Sequence, residues 1–197
     1  MIEYCGYWFP DDHKALHKMI VRAEKIFGLN YVKEWGCAID VGAHVGLWTA
    51  KLAEKFRHVF AFEPDPQNFE CLLKNTARYT NVTAVNKGLG HKVERVGLMG
   101  ARKNSQYKHI VSGDDADIVP LNPFNLDPDF VKVDIEGYEA KFLLGARETL
   151  LKSRPVIMIE EKGLWETYGT KDPAVTLAAW GMYPVESGRI DTVYLWT

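Results

Sequence analysis

The sequence predicts an α/β fold: a doubly wound, mostly parallel sheet of seven strands with a small antiparallel β insertion. Three observations carry that prediction. Apolar strand-like runs alternate with segments of helical periodicity, as a parallel sheet with crossover helices requires. The run Cys37-Ala38-Ile39 leads into a glycine-punctuated turn, Asp40-Val41-Gly42-Ala43-His44-Val45-Gly46, which opens a helix-like segment at Leu47-Trp48-Thr49. From Arg95 to Leu121 the alternation gives way to short β-like pieces separated by polar, glycine-containing turns, a pattern suited to antiparallel pairing.

The elements follow in order. Asp11 to Phe27 predicts a helix, because Ala15, Leu16, Met19, Ile20, Ala23, Ile26 and Phe27 recur at helical spacing and Gly28 ends the pattern. The strand from Cys37 comes next, then a helix from Leu47 with Leu52, Ala53 and Phe56 inward. His58 to Phe62 is the second strand. Asp65 as N-cap and Pro66 in the first turn open a helix through Phe69, Leu72 and Leu73. Val82 to Val85 is the third strand, and Val96 to Met99, Tyr107 to Val111 and Ile118 to Leu121 are the inserted pieces. Phe130 to Asp134 supplies the fourth strand, Tyr138 to Lys152 a helix and Val156 to Ile159 a buried strand. Asp172-Pro173 caps a further helix that Gly181 stops, and Tyr183 to Val185 with Thr192 to Trp196 form a closing hairpin. Residues 1–197 therefore read as a single domain, with an N-terminal helical segment over 1–35 and a Rossmann-like core over 36–197.

Composition fits one ordinary globular domain. The 197 residues are 47% hydrophobic and 25% charged, both unremarkable. A net charge of −2 argues against a large electrostatic footprint for nucleic acid, since a basic patch is the usual requirement. No apolar window approaches a membrane span or a signal-peptide core, so neither is expected. Cys5, Cys37 and Cys71 are odd in number and lack metal-type spacing. A reducing, cytoplasmic setting is the simplest expectation.

The glycine turn carries the first chemical signal. Gly42 allows a tight turn, Gly46 allows close packing of the helix, and the helix N-terminus offers free N–H groups. A dinucleotide site would want G-x-G-x-x-G, its middle glycine admitting a pyrophosphate. Here that place is His44, and Asp40 precedes the first glycine by two residues. An acid with this spacing suits a cofactor that has an ammonium group and no pyrophosphate, as S-adenosylmethionine does. The second signal is Glu63, 21 residues after Gly42 at the end of His58-Val59-Phe60-Ala61-Phe62. An acid at that strand tip can accept hydrogen bonds from both ribose hydroxyls.

The third signal is Lys132-Val133-Asp134-Ile135-Glu136-Gly137-Tyr138-Glu139. Together with Ile39-Asp40-Val41-Gly42-Ala43, Phe62-Glu63-Pro64 and Val156-Ile157-Met158-Ile159-Glu160, it resembles the FkbM family of S-adenosylmethionine-dependent methyltransferases, from about Ala38 to Glu160. The Asp-Ile-Glu-Gly-Tyr-Glu run is its specific part. The resemblance implies a class I methyltransferase fold, S-adenosylmethionine as cofactor, and methylation of an oxygen on a small-molecule or glycan-like acceptor. It places Asp40, Gly42, Ala43, His44, Gly46, Glu63 and Asp134 at the cofactor, with Asp134 beside the methionyl ammonium. Two departures stand out: the family turn usually carries Asn where this chain has His44, and a Leu-Asp-Asp stretch is replaced by Leu121-Asn122-Pro123-Phe124.

Methyl transfer is an in-line displacement, so alignment is the main requirement, and a hydroxyl acceptor also needs a base. Asp134, Glu136, Glu139, Glu160 and His44 are the candidates. Glu136 is the first choice for the base or acceptor ligand, with Asp134 also possible in catalysis. Glu139 reads equally as a helix N-terminal cap. Asp134, Glu136 and Glu160 could together hold Mg²⁺, although no metal is expected. His13 and His17 read as a solvated helix face, and Asn122-Pro123-Phe124 as a turn. Tyr7, Trp8 and Phe9 read as a plug for the sheet edge, with a lid over the acceptor as the alternative. An N-methyltransferase acting on nucleic acid or protein, and a non-catalytic S-adenosylmethionine-binding module, are the competing readings.

Overall fold

The computed structural model describes residues 1–10, 16–23, 28–101, 104–188 and 190–197. In chain order the elements are β1 (Ile2–Tyr4), β2 (Tyr7–Phe9), α1 (Leu16–Ala23), β3 (Cys37–Val41), α2 (Leu47–Ala53), β4 (His58–Phe62), α3 (Pro66–Thr76), β5 (Val82–Val85), β6 (Gly88–Leu89), β7 (Glu94–Ala101), β8 (Asn104–Val119), β9 (Phe130–Val133), α4 (Glu139–Ser153), β10 (Val156–Glu160), α5 (Pro173–Ala179), β11 (Met182–Ser187) and β12 (Asp191–Trp196). Seven strands form one sheet in the order β11-β12-β10-β9-β3-β4-β5. Only β12 runs against its neighbours, pairing antiparallel with both β10 and β11. The expected seven-stranded, mostly parallel sheet is therefore present.

Side chains alternate between the two faces of this sheet, as the strand period of two demands. Ala38, Phe130, Met158 and Val193 face a layer built from Phe9, Leu16, Leu47, Trp48, Leu52 and Phe56. Ile39, Val131, Ile157 and Ile159 face the opposite layer, where Phe142, Leu143, Leu150 and Leu177 of α4 and α5 cover them. Strands covered on both faces read as near-continuous apolar runs, which is why β3, β9 and β10 were legible. Asp65 caps α3, its Oδ1 accepting from the N–H groups of Gln67 and Asn68 at 3.1 and 2.9 Å. Asp172 caps α5 by accepting from the Ala174 N–H at 2.9 Å.

Two expectations are corrected. The segment over 1–35 is not purely helical, because Ile2 to Phe9 forms a two-stranded antiparallel ribbon. The aromatic residues Tyr4, Tyr7, Trp8 and Phe9 favour a strand there, and Phe9 is fully buried in the core. Asn75 ties this ribbon to the body, accepting from the Trp8 N–H at 2.6 Å and donating to the carbonyls of Trp8 and Val45 at 2.8 and 2.7 Å. Of the helix expected over Asp11 to Phe27, α1 spans Leu16–Ala23; residues 11–15 and 24–27, with His13 and Ile26, lie outside the described residues.

The inserted pieces also differ from expectation: Tyr107 to Val111 and Ile118-Val119 belong to one long strand, β8, which pairs with β7 and β6. The polar Ser112-Gly113-Asp114-Asp115 run resembles a turn but is absorbed as a bulge. Val96 pairs with Ala116 while the next residue, Gly97, pairs with Val111. The Asp115 carboxylate accepts from the Leu98 N–H at 2.9 Å, anchoring the bulged residues. No helix among the described residues is long and apolar enough to cross a membrane.

Candidate active site

The strand order reverses between β3 and β9, the place where open α/β sheets leave a crevice at their carboxyl ends. A cavity of about 290 Å³ lies there. The glycine turn after β3 and the acid after β4 form one side, and the loop after β9 with Lys162 forms the other. Leu98, Ile110 and Ile118 of the inserted sheet contribute apolar wall, and Lys18 and Met19 of α1 reach it from the N-terminal segment.

The turn has little freedom. Gly42 has φ +77°, and a Cβ on it would stand 2.0 Å from the Asp134 carbonyl oxygen. No side chain fits there, so glycine is required for close approach as well as for backbone angle. The N–H groups of Gly42 and Ala43 both donate to the Phe62 carbonyl, at 3.0 and 2.9 Å. Gly46 lies outside the cavity wall, at the start of α2. Its Cβ would meet Leu72 Cδ1 at 2.6 Å, so it admits close packing against α3 rather than against the strand.

His44 lines the cavity and has φ +52°. Its N–H donates to Glu63 Oε2 at 2.8 Å. A left-handed backbone suits Asn better than most side chains, which gives the family's usual residue a physical basis at this place. His44→Asn is accordingly expected to keep its cofactor affinity within about twofold, since the demand at this place is on the backbone. Calorimetric titration with S-adenosylmethionine checks this, and complete loss of binding would assign the imidazole a contact of its own.

Glu63 is 5% exposed and lines the cavity. Besides His44, it accepts from the Asp65 N–H at 2.9 Å through Oε1, with Asn68 Nδ2 at 3.4 Å. Burial pushes its carboxyl up to about 7 against the pull of the Asp65 and His44 N–H groups.

Asp40 differs from the sequence reading. It was expected to meet a cofactor ammonium, but it is fully buried and does not line the cavity. Strand parity turns it onto the α2 face, where its Oδ2 accepts from Thr49 Oγ1 at 2.7 Å. Register places Lys132 of β9 directly beside it, and Lys132 Nζ lies 3.2 Å from Asp40 Oδ1 and 3.8 Å from Asp134 Oδ2. Burial alone would lower the Lys132 pKa, but Asp40 and then Asp134 raise it. The ammonium therefore stays charged, and the carboxylate that reaches the cavity from this group is Asp134.

Beyond Asp134 the chain turns sharply. Glu136 has φ +52° and is 9% exposed. Ligand atoms of Asp134, Glu136 and Glu160 all lie within 4.8 Å of one another. Lys162 stands among them, its Nζ 2.7 Å from Glu136 Oε1 and 2.6 Å from Glu160 Oε2. Burial and then Asp134 raise the Glu160 pKa. Glu139 is turned away to structural use, accepting from the N–H groups of Gly137 and Ile135 at 3.0 and 3.3 Å.

Sequence reasoning did not single out Lys132 or Lys162. Lys132 had a usable signal, a lone charge inside the buried strand Phe130–Val133. Lys162 had only its place two residues beyond Glu160. The other side features are structural. Asn122 Oδ1 accepts from the Thr149 N–H and hydroxyl, both at 3.2 Å, so Asn122-Pro123-Phe124 is a turn pinned to α4. His17 is exposed on α1.

A seven-stranded doubly wound sheet with its cavity at the switch point, walled by a glycine turn and a strand-end acid, defines a Rossmann-like α/β protein. The chain belongs to the FkbM methyltransferase domain family, whose model matches residues 40–180. A hexuronic acid methyltransferase, AglP of Haloferax volcanii, is 30% identical over 138 residues, which are 60% of this chain and 53% of that protein. The chain thus spans about half the length of the curated relative it matches. Among solved structures, an FkbM methyltransferase from Methylobacillus flagellatus superposes with a TM-score of 0.63 at 22% identity, covering 88% of this chain and 47% of the other. Aeropyrum pernix fibrillarin, a structure with natively bound S-adenosyl-L-methionine, superposes with a TM-score of 0.52 at 13% identity, covering 91% and 73%. Both likenesses concern the fold.

Proposed function

We propose that this chain transfers a methyl group from S-adenosylmethionine to an oxygen of a small-molecule or glycan-like acceptor. The observation that carries the reading is the division of one cavity into two chemically distinct ends. At one end Glu63, held by the backbone of the glycine turn, presents carboxylate oxygens to the ribose hydroxyls. At the other, Asp134 supplies a countercharge for the methionyl ammonium and Glu136 faces the acceptor. Fibrillarin's bound cofactor and AglP's hexuronic acid substrate support the cofactor and a glycan-like acceptor respectively. The acids at the acceptor end disfavour an approaching phosphate backbone, which counts against nucleic acid. A reducing, cytoplasmic setting belongs to the same proposal, with Cys5, Cys37 and Cys71 all free thiols.

The direct test is transfer of a labelled methyl group to a panel of hexuronates, hexuronate-containing oligosaccharides and neutral polyols. Labelling of a hydroxyl is the expected outcome; cofactor binding with no transfer to any oxygen would favour a binding module or a nitrogen acceptor. Glu63→Ala is expected to weaken the cofactor at least about tenfold, because hydrogen bonds to a charged acceptor contribute about 1.5–3 kcal/mol each. Since Glu63 titrates near 7 in the folded protein, its protonated form prevails below that pH and is the poorer acceptor. Native affinity should therefore rise from about pH 6 to about pH 8, and Glu63→Gln should flatten that rise. Calorimetry across the range decides it, and an unchanged slope in the variant would remove Glu63 from the ribose site.

A further inference from the structure

Lys162 projects into the acceptor end of the cavity, its side chain 19% exposed. Its position is chemically specific. The three carboxyl groups of Asp134, Glu136 and Glu160 converge to within 4.8 Å, a spacing at which hard oxygen ligands surround a single cation. Lys162 Nζ reaches two of them at 2.7 and 2.6 Å, at the short end of charge-assisted hydrogen bonds. Lys132, on the same cavity wall but buried, is committed to Asp40 and Asp134. Glu136 holds a left-handed backbone angle immediately before Gly137, a conformation that persists only where its surroundings fix it. The Lys162 ammonium grips the Glu136 side chain directly.

We propose that Lys162 is the resident cation of the acceptor end: its ammonium takes the place a divalent ion would hold among Asp134, Glu136 and Glu160, and it orients Glu136 toward the acceptor without a metal. Lys162 is thus a positioning residue. The role of Glu136 rests on the methyltransferase reading, so the test is chosen to work without an acceptor. Mn²⁺ serves as the probe, and its binding to the full chain is followed by electron paramagnetic resonance and calorimetry. Removing the ammonium empties a site already lined by three carboxylates. Lys162→Ala should therefore bind Mn²⁺ at least about tenfold more tightly than the native chain, and Lys162→Arg, which keeps a cation there, should not. Adding Glu136→Gln to Lys162→Ala should abolish the gain. Lys162→Gln, which keeps part of the stem, repeats the comparison should the alanine variant not fold.

A folded Lys162→Ala or Lys162→Gln with no gain in Mn²⁺ affinity would overturn the proposal. So would Mn²⁺ binding by the native chain that is lost on Glu136→Gln. Absence of S-adenosylmethionine binding in the native chain would instead overturn the methyltransferase reading, and the Mn²⁺ comparison would still decide the place of Lys162.

Discussion

Lys132→Met is expected to destabilise the fold by about 3–5 kcal/mol, the usual cost of leaving one partner of a buried ion pair uncompensated. The reason is local. Asp40 is fully buried, and after the substitution its carboxylate would keep the Thr49 hydroxyl but lose its only cross-strand cation among the described residues. For a chain of this length the loss corresponds to roughly 6–20 °C in Tm, at about 2–4 °C per kcal/mol. Urea and thermal unfolding measure it directly. The double variant Lys132→Met with Asp40→Asn should recover a large part, because the stranded charge is then gone and the two residues are coupled neighbours. Equal stability of native and Lys132→Met proteins would show that the Asp40–Lys132 pair contributes nothing net to the fold.

Glu136→Gln is expected to lower turnover by roughly 10²-fold or more, the scale of a lost general base, while leaving cofactor affinity nearly intact. Gln keeps the shape and still offers an oxygen to Lys162, whose Nζ lies 2.7 Å from the present carboxylate. What it cannot do is accept the acceptor's proton. Asp134→Asn should show the opposite division, weakening the cofactor because an amide supplies no countercharge to an ammonium. Steady-state kinetics on the acceptor found by the methyl-transfer panel, with calorimetry for the cofactor, separates the two. Unchanged turnover in Glu136→Gln would move the base to Glu160 or His44.

The sheet was legible because its strands are buried on both faces. A parallel strand with a helix layer on each side reads as a near-continuous apolar run, so Cys37–Val41, Phe130–Val133 and Val156–Glu160 announce themselves despite Asp40, Lys132 and Glu160. The caps at Asp65 and Asp172 were legible because they act on N–H groups two or three residues away. The insertion was not. Whether Ser112 to Asp115 turns the chain or bulges from a continuous strand depends on how β7 pairs beside it, and pairing is a non-local property. The N-terminal ribbon was missed for a related reason: three-residue strands are too short to display a period.

The amino-acid sequence by itself determined the doubly wound architecture, the glycine turn, the strand-end acid Glu63 and the acidic run from Asp134, since each is written in local spacing. Tertiary structure alone decided which of those acids reach the cavity. Parity and register turn Asp40 inward onto Lys132 and Thr49, and the hydrogen bonds of Glu139 commit it to the loop before α4. Asp134 and Glu136 are left on the wall. Lys162 joins them only because β10 lies next to β9, which brings residues 26 apart in sequence to 2.7 Å. A side chain's charge is a property of its residue type, whereas its partners are set by which strands lie side by side.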